Sequence, residues 1–174
     1  MLKTEKEKSF PAAFENWKPH SQIPIRIDLS EMSINGTPLR NSLSALECFG
    51  RPEHSALAPD TYEYKSSGLY FHMDRTNNTE LVGCYLIDIA TVYGNHWKAC
   101  ALSVTDANGN WQEITSRCSE TQIRTWYPNA TTYGNPAHDL ILIIDDSKFK
   151  LKFEFQGGVS HIYNVRINLK PKRK

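Results

Sequence analysis

Three pairs in the 174-residue chain have the residue types that catalysis or metal binding would need. His72 and Asp74 form an H-x-D pair, which on an extended segment puts both side chains on one face and would suit a metal or an acid–base couple. His138 and Asp139 are a second such adjacency, and Asp145 and Asp146 would offer two carboxylates to a cation from a hairpin turn. None of these is reinforced by its surroundings. There is no H-E-x-x-H, no G-x-S-x-G, no phosphate-cradling glycine loop and no dinucleotide fingerprint. Histidine and aspartate at strand ends and turns have structural uses of their own, so the reading is of a protein that is not an enzyme and needs neither metal nor cofactor. Cys48, Cys84, Cys100 and Cys118 fall outside any C-x-x-C spacing and read as free thiols. The three N-x-T sequons, at Asn35, Asn77 and Asn129, read as turn composition.

A second set of residues has the chemistry of a protein interface. Trp111, Trp126, Tyr127 and Tyr133 lie beside polar turns or in the stretch 119–138, "SETQIRTWYPNATTYGNPAH", whereas Trp97 reads as part of a strand. Tryptophan and tyrosine supply large contact area at low entropic cost, so these four are the candidate partner-binding residues. The stretch itself reads as the longest irregular region, with one possible helical turn at its start, and a long loop on a compact domain is often a working surface.

The remaining elements must position those side chains. In "IPIRIDL", Ile23, Ile25, Ile27 and Leu29 alternate with polar residues or Pro24, so one face of a strand is apolar and Pro24 marks a sheet edge or the strand's beginning. Asn35-Gly36 then specifies a tight turn of the type that needs positive φ at both central residues. A short helix is expected next, with Leu43, Leu46 and Phe49 on one face, Ser42 or Ser44 as its cap, an S-x-x-E box from Ser44 to Glu47, and Gly50 and Pro52 as its stop. "SFPAAFENWKP" reads as another short helix capped by Ser9, and residues 51 to 61 as a loop. "YEYKSSGLYFHM" and "ELVGCYLIDIATVY" read as two strands joined through "DRTNNT", and "WKACALSV" and "WQEIT" as a hairpin about Asn108-Gly109. Near the end, "DLILIID", "FKLKFEF" and "HIYNVRINL" give three more alternating strands. The expectation is an α+β fold, predominantly antiparallel β-sheet, with about nine or ten strands in hairpins and two or three short helices. A flexible arm over residues 1–8, one domain over 9–170 and a basic tail over 171–174 complete the organisation.

Charge and composition exclude several functions. A net charge of +1 speaks against a dedicated nucleic-acid binder. The longest apolar run, Leu140 to Ile144, is far short of the roughly 20 residues of a membrane helix, so no membrane partner is expected. The beginning, "MLKTEKEKSFPAAFENWKPH", does not read as a secretory signal, and the expected location is the cytoplasm. Nothing in the sequence speaks to oligomeric state.

Residues 23 to 90 resemble a group of small bacterial proteins encoded beside polymorphic-toxin and type VI secretion effector genes. The resemblance rests on the order of "IRIDL", "INGTPL", "LECFGRP", "YEYKSSGLYFHMD" and "LVGCYLIDI". Where those proteins commonly carry Trp-Asp before a Leu-Gly-Ile-type step, this chain has Tyr62 to Tyr64 followed by Ser67-Gly68-Leu69. The resemblance implies an immunity protein that binds a cognate toxin and covers its active site or blocks its substrate, and the charged beginning without a secretory signal gives the further expectation that the toxin acts in the cytoplasm. Two competing expectations stand beside it. A small-ligand-binding β-rich protein would have an enclosed apolar cavity, and an enzyme would bring His72, Asp74 and His138 together in a cleft.

Overall fold

A computed structural model describes residues 14–55, 61–74, 81–89, 99–135, 137–156 and 161–171. The arm over 1–8, the helix start at Ser9, the "DRTNNT" turn with Asn77, Trp97 and residues 172–174 of the tail lie outside the described residues.

The chain builds two sheets in alternation. β1 (Ile25–Asp28), β2 (Ser33–Ile34) and β3 (Thr37–Pro38) open the smaller sheet. The chain then enters the larger sheet through β4 (His54–Ser55), β5 (Thr61–Tyr64), β6 (Leu69–Asp74) and β7 (Leu81–Asp88). It returns to the smaller sheet with β8 (Leu102–Thr105) and β9 (Trp111–Ile114), and crosses a second time by the helix α1 (Glu120–Trp126). β10 (Thr131–Asn135), β11 (Asp139–Asp145), β12 (Phe149–Phe155) and β13 (Ile162–Leu169) complete the larger sheet. The five-stranded order is β3-β2-β1-β8-β9 and the eight-stranded order is β10-β11-β12-β13-β7-β6-β5-β4. Among the described strands all pairings are antiparallel except β1 with β8, which run parallel because the chain leaves for the other sheet between them. The fold is therefore α+β and β-rich, as expected.

Strand number is where the structure departs from the sequence reading. "YEYKSSGLYFHM" is two strands, not one: a 3₁₀ turn at Lys65–Ser67 and left-handed Gly68 (φ 60°) fold β5 back onto β6. His54–Ser55, within the expected loop 51–61, pairs with β5. Residues 131–135, within the expected irregular stretch, pair with β11 over their whole length. Pro24 stands just before β1, at the start of a strand in the middle of its sheet.

Local signals explain the turns. Asn35 (φ 47°) and Gly36 (φ 78°) both adopt the left-handed conformation that the β2–β3 turn requires. Asn35 also extends the pairing of β1, its Oδ1 accepting the Arg26 amide at 2.7 Å and its Nδ2 donating to the Pro24 carbonyl at 3.1 Å. The helix after β3 is a 3₁₀ helix, Leu43–Phe49, that starts after Ser42, so Ser44 lies inside it and the expected box with Glu47 does not form the cap.

Alternate residues of every long strand enter one continuous hydrophobic cluster between the sheets, which includes Ile27, Val104, Phe71, Tyr85, Phe153 and Ile167. Three buried tyrosines pin surrounding segments to it through their hydroxyls. Tyr64 donates to the Gly50 carbonyl at 2.9 Å, Tyr85 to Leu39 at 2.5 Å and Tyr127 to Thr105 at 2.7 Å. Burial pushes all three phenols above their ordinary pKa, so they stay neutral donors. No helix among the described residues is long and apolar enough to cross a membrane.

Candidate partner-binding surface

The three pairs singled out for chemistry are used structurally or stand apart. His72 is exposed on β6 and its Nδ1 meets the Thr61 hydroxyl at 2.6 Å. His138 lies in the β10–β11 turn. In the larger sheet β11, β12, β13 and β7 stand between β10 and β6, so the turn that carries His138 and the strand that carries His72 are not neighbours in the sheet. Asp145 is paired with Lys150 at 3.5 Å and with Lys170, while Asp146 accepts the Lys148 amide at 2.8 Å. Among the described residues no group of three or more His, Cys, Asp or Glu side chains is placed to hold a metal.

One nucleophile–base geometry escaped the sequence reading. His20 Nε2 lies 2.7 Å from Ser67 Oγ, and its Nδ1 faces the Phe49 carbonyl. A carbonyl only accepts, so Nδ1 carries a proton and donates to it. Ser67 is 1% exposed, however, and the pair ties the segment before β1 to the β5–β6 turn inside the core. Nothing in the spacing of residues 20 and 67 could have revealed it.

The aromatic set resolves differently. Trp111 is the first residue of β9, opposite Thr105, and its position is fixed by the loop that precedes it. In "DANGN", Asp106 accepts the amides of Asn108 and Asn110 at 2.8 and 2.9 Å and the Gln112 side-chain amide at 2.9 Å. Gly109, at φ 81°, lets the chain close. Burial works to raise the Asp106 carboxyl, but the hydrogen bonds from Asn110, Gln112 and Asn108 outweigh it and hold the pKa below the ordinary value.

A pH prediction follows from that sign. The unfolded carboxyl titrates near about 3.9 and the folded one lower, so the folded state binds fewer protons. Its stabilisation is complete above the unfolded value and is lost as pH falls through the folded value. Asp106→Ala is expected to lower stability by about 2 kcal/mol at neutral pH. The gap from wild type should narrow in thermal melts as the pH falls below the unfolded carboxyl's range; a gap independent of pH would contradict the assignment.

Beyond β9, the sequence "SETQ" makes a full capping box. The Gln122 amide donates to Ser119 Oγ at 3.2 Å, and the Ser119 amide donates to Gln122 Oε1 at 2.8 Å. It starts α1, whose Ile123 is buried and whose Trp126 is half-buried against the core. The Trp126 carbonyl accepts the Ala107 amide at 3.1 Å, joining the helix to the β8–β9 loop. Arg124 pairs with Glu120 at 2.9 Å, donates to the Ala130 carbonyl at 2.8 Å, and reaches the Thr132 hydroxyl, so the helix also holds β10.

The four candidates therefore separate. Tyr127 is 3% exposed, its hydroxyl engaged by Thr105 and its ring 5.7 Å from Phe153; it is a core residue and offers no surface. Trp126 presents only part of its ring. Trp111 and Tyr133 are 43% and 68% exposed, the large exposed hydrophobics among the described residues. Trp111 lies on β9, the edge of the smaller sheet, and Tyr133 on β10, the edge of the larger. Arg26 sits 4.4 Å over the Trp111 ring and fixes its plane. Every residue of β10 is exposed, leaving an open edge strand. No family model, curated protein or solved structure matches the chain.

Proposed function

We propose that this chain is an immunity-type inhibitor, which binds a cognate antibacterial toxin acting in the cytoplasm and occludes the toxin's active site without chemistry of its own. The reading rests on one observation: both exposed large aromatics among the described residues lie on edge strands, Trp111 on β9 and Tyr133 on β10, the two strands that the α1-containing segment connects. An open edge offers backbone amides and carbonyls to a partner strand, and flanking aromatics supply anchors. A tight complex of this kind needs an interface of standard size, about 1,600 Å² in total. The order of motifs over residues 23–90 supports the same class of protein.

The test is to read the neighbouring genes for a toxin domain and to co-express that toxin with this chain. A one-to-one complex on gel filtration is expected, together with protection of cells carrying the active toxin. Trp111→Ala and Tyr133→Ala should each weaken the complex by about 30-fold, the value for an anchor worth roughly 2 kcal/mol; Tyr133→Ala should leave the melting temperature of the free protein unchanged, and Trp111→Ala should lower it only slightly, by the loss of the Arg26 contact. Deletion of the gene without harm beside an active toxin would overturn the reading.

A further inference from the structure

Where the β2–β3 hairpin meets the β11–β12 turn and the end of β13, the surface holds a groove of about 580 Å³. That is within the size range of small-molecule sites. Met32, Pro38 and Leu169 give it an apolar lining, and Arg40, Lys148 and Glu31 bring charge to it.

The lining is rigidly held. The Leu39 carbonyl accepts Tyr85 and the Asn41 carbonyl accepts the Val82 amide at 3.0 Å, so Arg40 leaves a backbone fixed on both sides to β7. Its Nη2 donates to the Lys170 carbonyl at 2.8 Å, which aims the guanidinium along the groove wall. The Lys170 amide in turn donates to the Lys148 carbonyl at 2.9 Å, and Lys148 is seated by Asp146. Met32 takes a left-handed backbone (φ 52°), a conformation that a non-glycine residue keeps only when its surroundings enforce it. The bond from the Leu39 amide to the Met32 carbonyl at 2.7 Å does so.

Charge decides the ligand class. Lys170 is paired with Asp145. Among the described residues Arg40 and Lys148 have no carboxylate partner, so two unneutralised cations face one carboxylate, Glu31. We infer that this groove binds a small amphiphilic monoanion, a carboxylate on an alkyl or aryl body, with Arg40 and Lys148 taking the head and Met32, Pro38 and Leu169 the body. The groove takes none of its lining from β9 or β10, and the inference does not depend on the toxin-binding reading.

Titration of the ¹⁵N-labelled full chain with decanoate below its micelle concentration tests this. Saturable shifts confined to amides of residues 31–40, 147–148 and 169–171 are expected, with decanol and decylamine at least about tenfold weaker, since a charged hydrogen-bond partner is lost. Arg40→Gln should weaken decanoate about tenfold. Because that change also touches the Lys170 carbonyl, Lys148→Gln in the exposed turn is the second variant, with severalfold weakening and an unchanged melting temperature expected. No saturable shift, equal binding of decanol, shifts centred elsewhere, or full affinity in both variants would each overturn the inference. So would co-sedimentation with phosphatidylglycerol vesicles by a chain that ignores free decanoate, which would make the face a membrane contact.

Discussion

Tyr127→Ala is expected to cost about 3–5 kcal/mol of folding stability, the cost of deleting a buried aromatic ring, and to lower the melting temperature steeply whether or not a partner is present. The ring packs on Phe153 of β12 and the hydroxyl reaches Thr105 at the end of β8, so this side chain bridges the two sheets at the point where α1 ends. Tyr127→Phe keeps the ring and removes the donor, and its expected cost is about 1–2 kcal/mol. The gap between the two variants separates packing from hydrogen bonding. A surface anchor would behave in the opposite way: Tyr127→Ala would leave the melt unchanged and weaken only the complex. Chemical denaturation of both variants, read with the toxin absent, distinguishes the two roles.

That single residue also shows what could and could not be read from the chain. Tyr127 stands with Trp111, Trp126 and Tyr133 near polar turns or in the stretch 119–138, and residue type alone cannot say which of the four is inside. The information was nevertheless present. Ile123, Trp126 and Tyr127 fall at i, i+3 and i+4, and Ser119 with Gln122 writes a capping box four residues ahead of Ile123, so a one-face helix was legible over 120–126. That helix puts Ile123 inside, and Tyr127, one turn further on at the helix's C-cap, follows it on the same face. The alternating strands of the carboxy-terminal third, "FKLKFEF" above all, were legible because period two is an unambiguous signal when one face is buried.

Other features were beyond any local reading. The parallel pairing of β1 with β8 joins residues 25–27 to 102–104, and no window of sequence contains both. The split of "YEYKSSGLYFHM" depends on Gly68 adopting a left-handed turn, which Ser-Ser-Gly permits but does not compel. The groove is assembled from the β2–β3 hairpin and the β11–β13 end of the larger sheet, so its cations, Arg40 and Lys148, are more than a hundred positions apart. Sites of this kind arise from topology, and the sequence supplies only their parts.

The edge strand β10 carries the second large expected effect, because a single backbone position decides whether it exists. Gly134 has φ 91°, and a Cβ there would stand 2.1 Å from the Asp139 carbonyl oxygen, closer than any real contact allows. Gly134→Ala must therefore either break the Gly134–Leu140 and Asn135–Asp139 pairings or push the β11 backbone aside. The left-handed conformation alone costs about 1–3 kcal/mol for a non-glycine residue, and the clash adds to it. Because β10 has only one neighbour, the cheaper response is for it to peel from β11, leaving β11, β12 and β13 intact. Hydrogen exchange is expected to accelerate strongly at residues 131–135 and 140–143 while the amides of β12 and β13 keep their protection. Tyr133 would then lose its fixed position, and the toxin complex should weaken at least as far as in Tyr133→Ala, by about 30-fold or more. Uniformly faster exchange across β12 and β13 would mean instead that β10 is integral to the core. Unchanged toxin binding alongside a detached β10 would remove this edge from the interface, leaving Trp111 and the β9 edge to carry it.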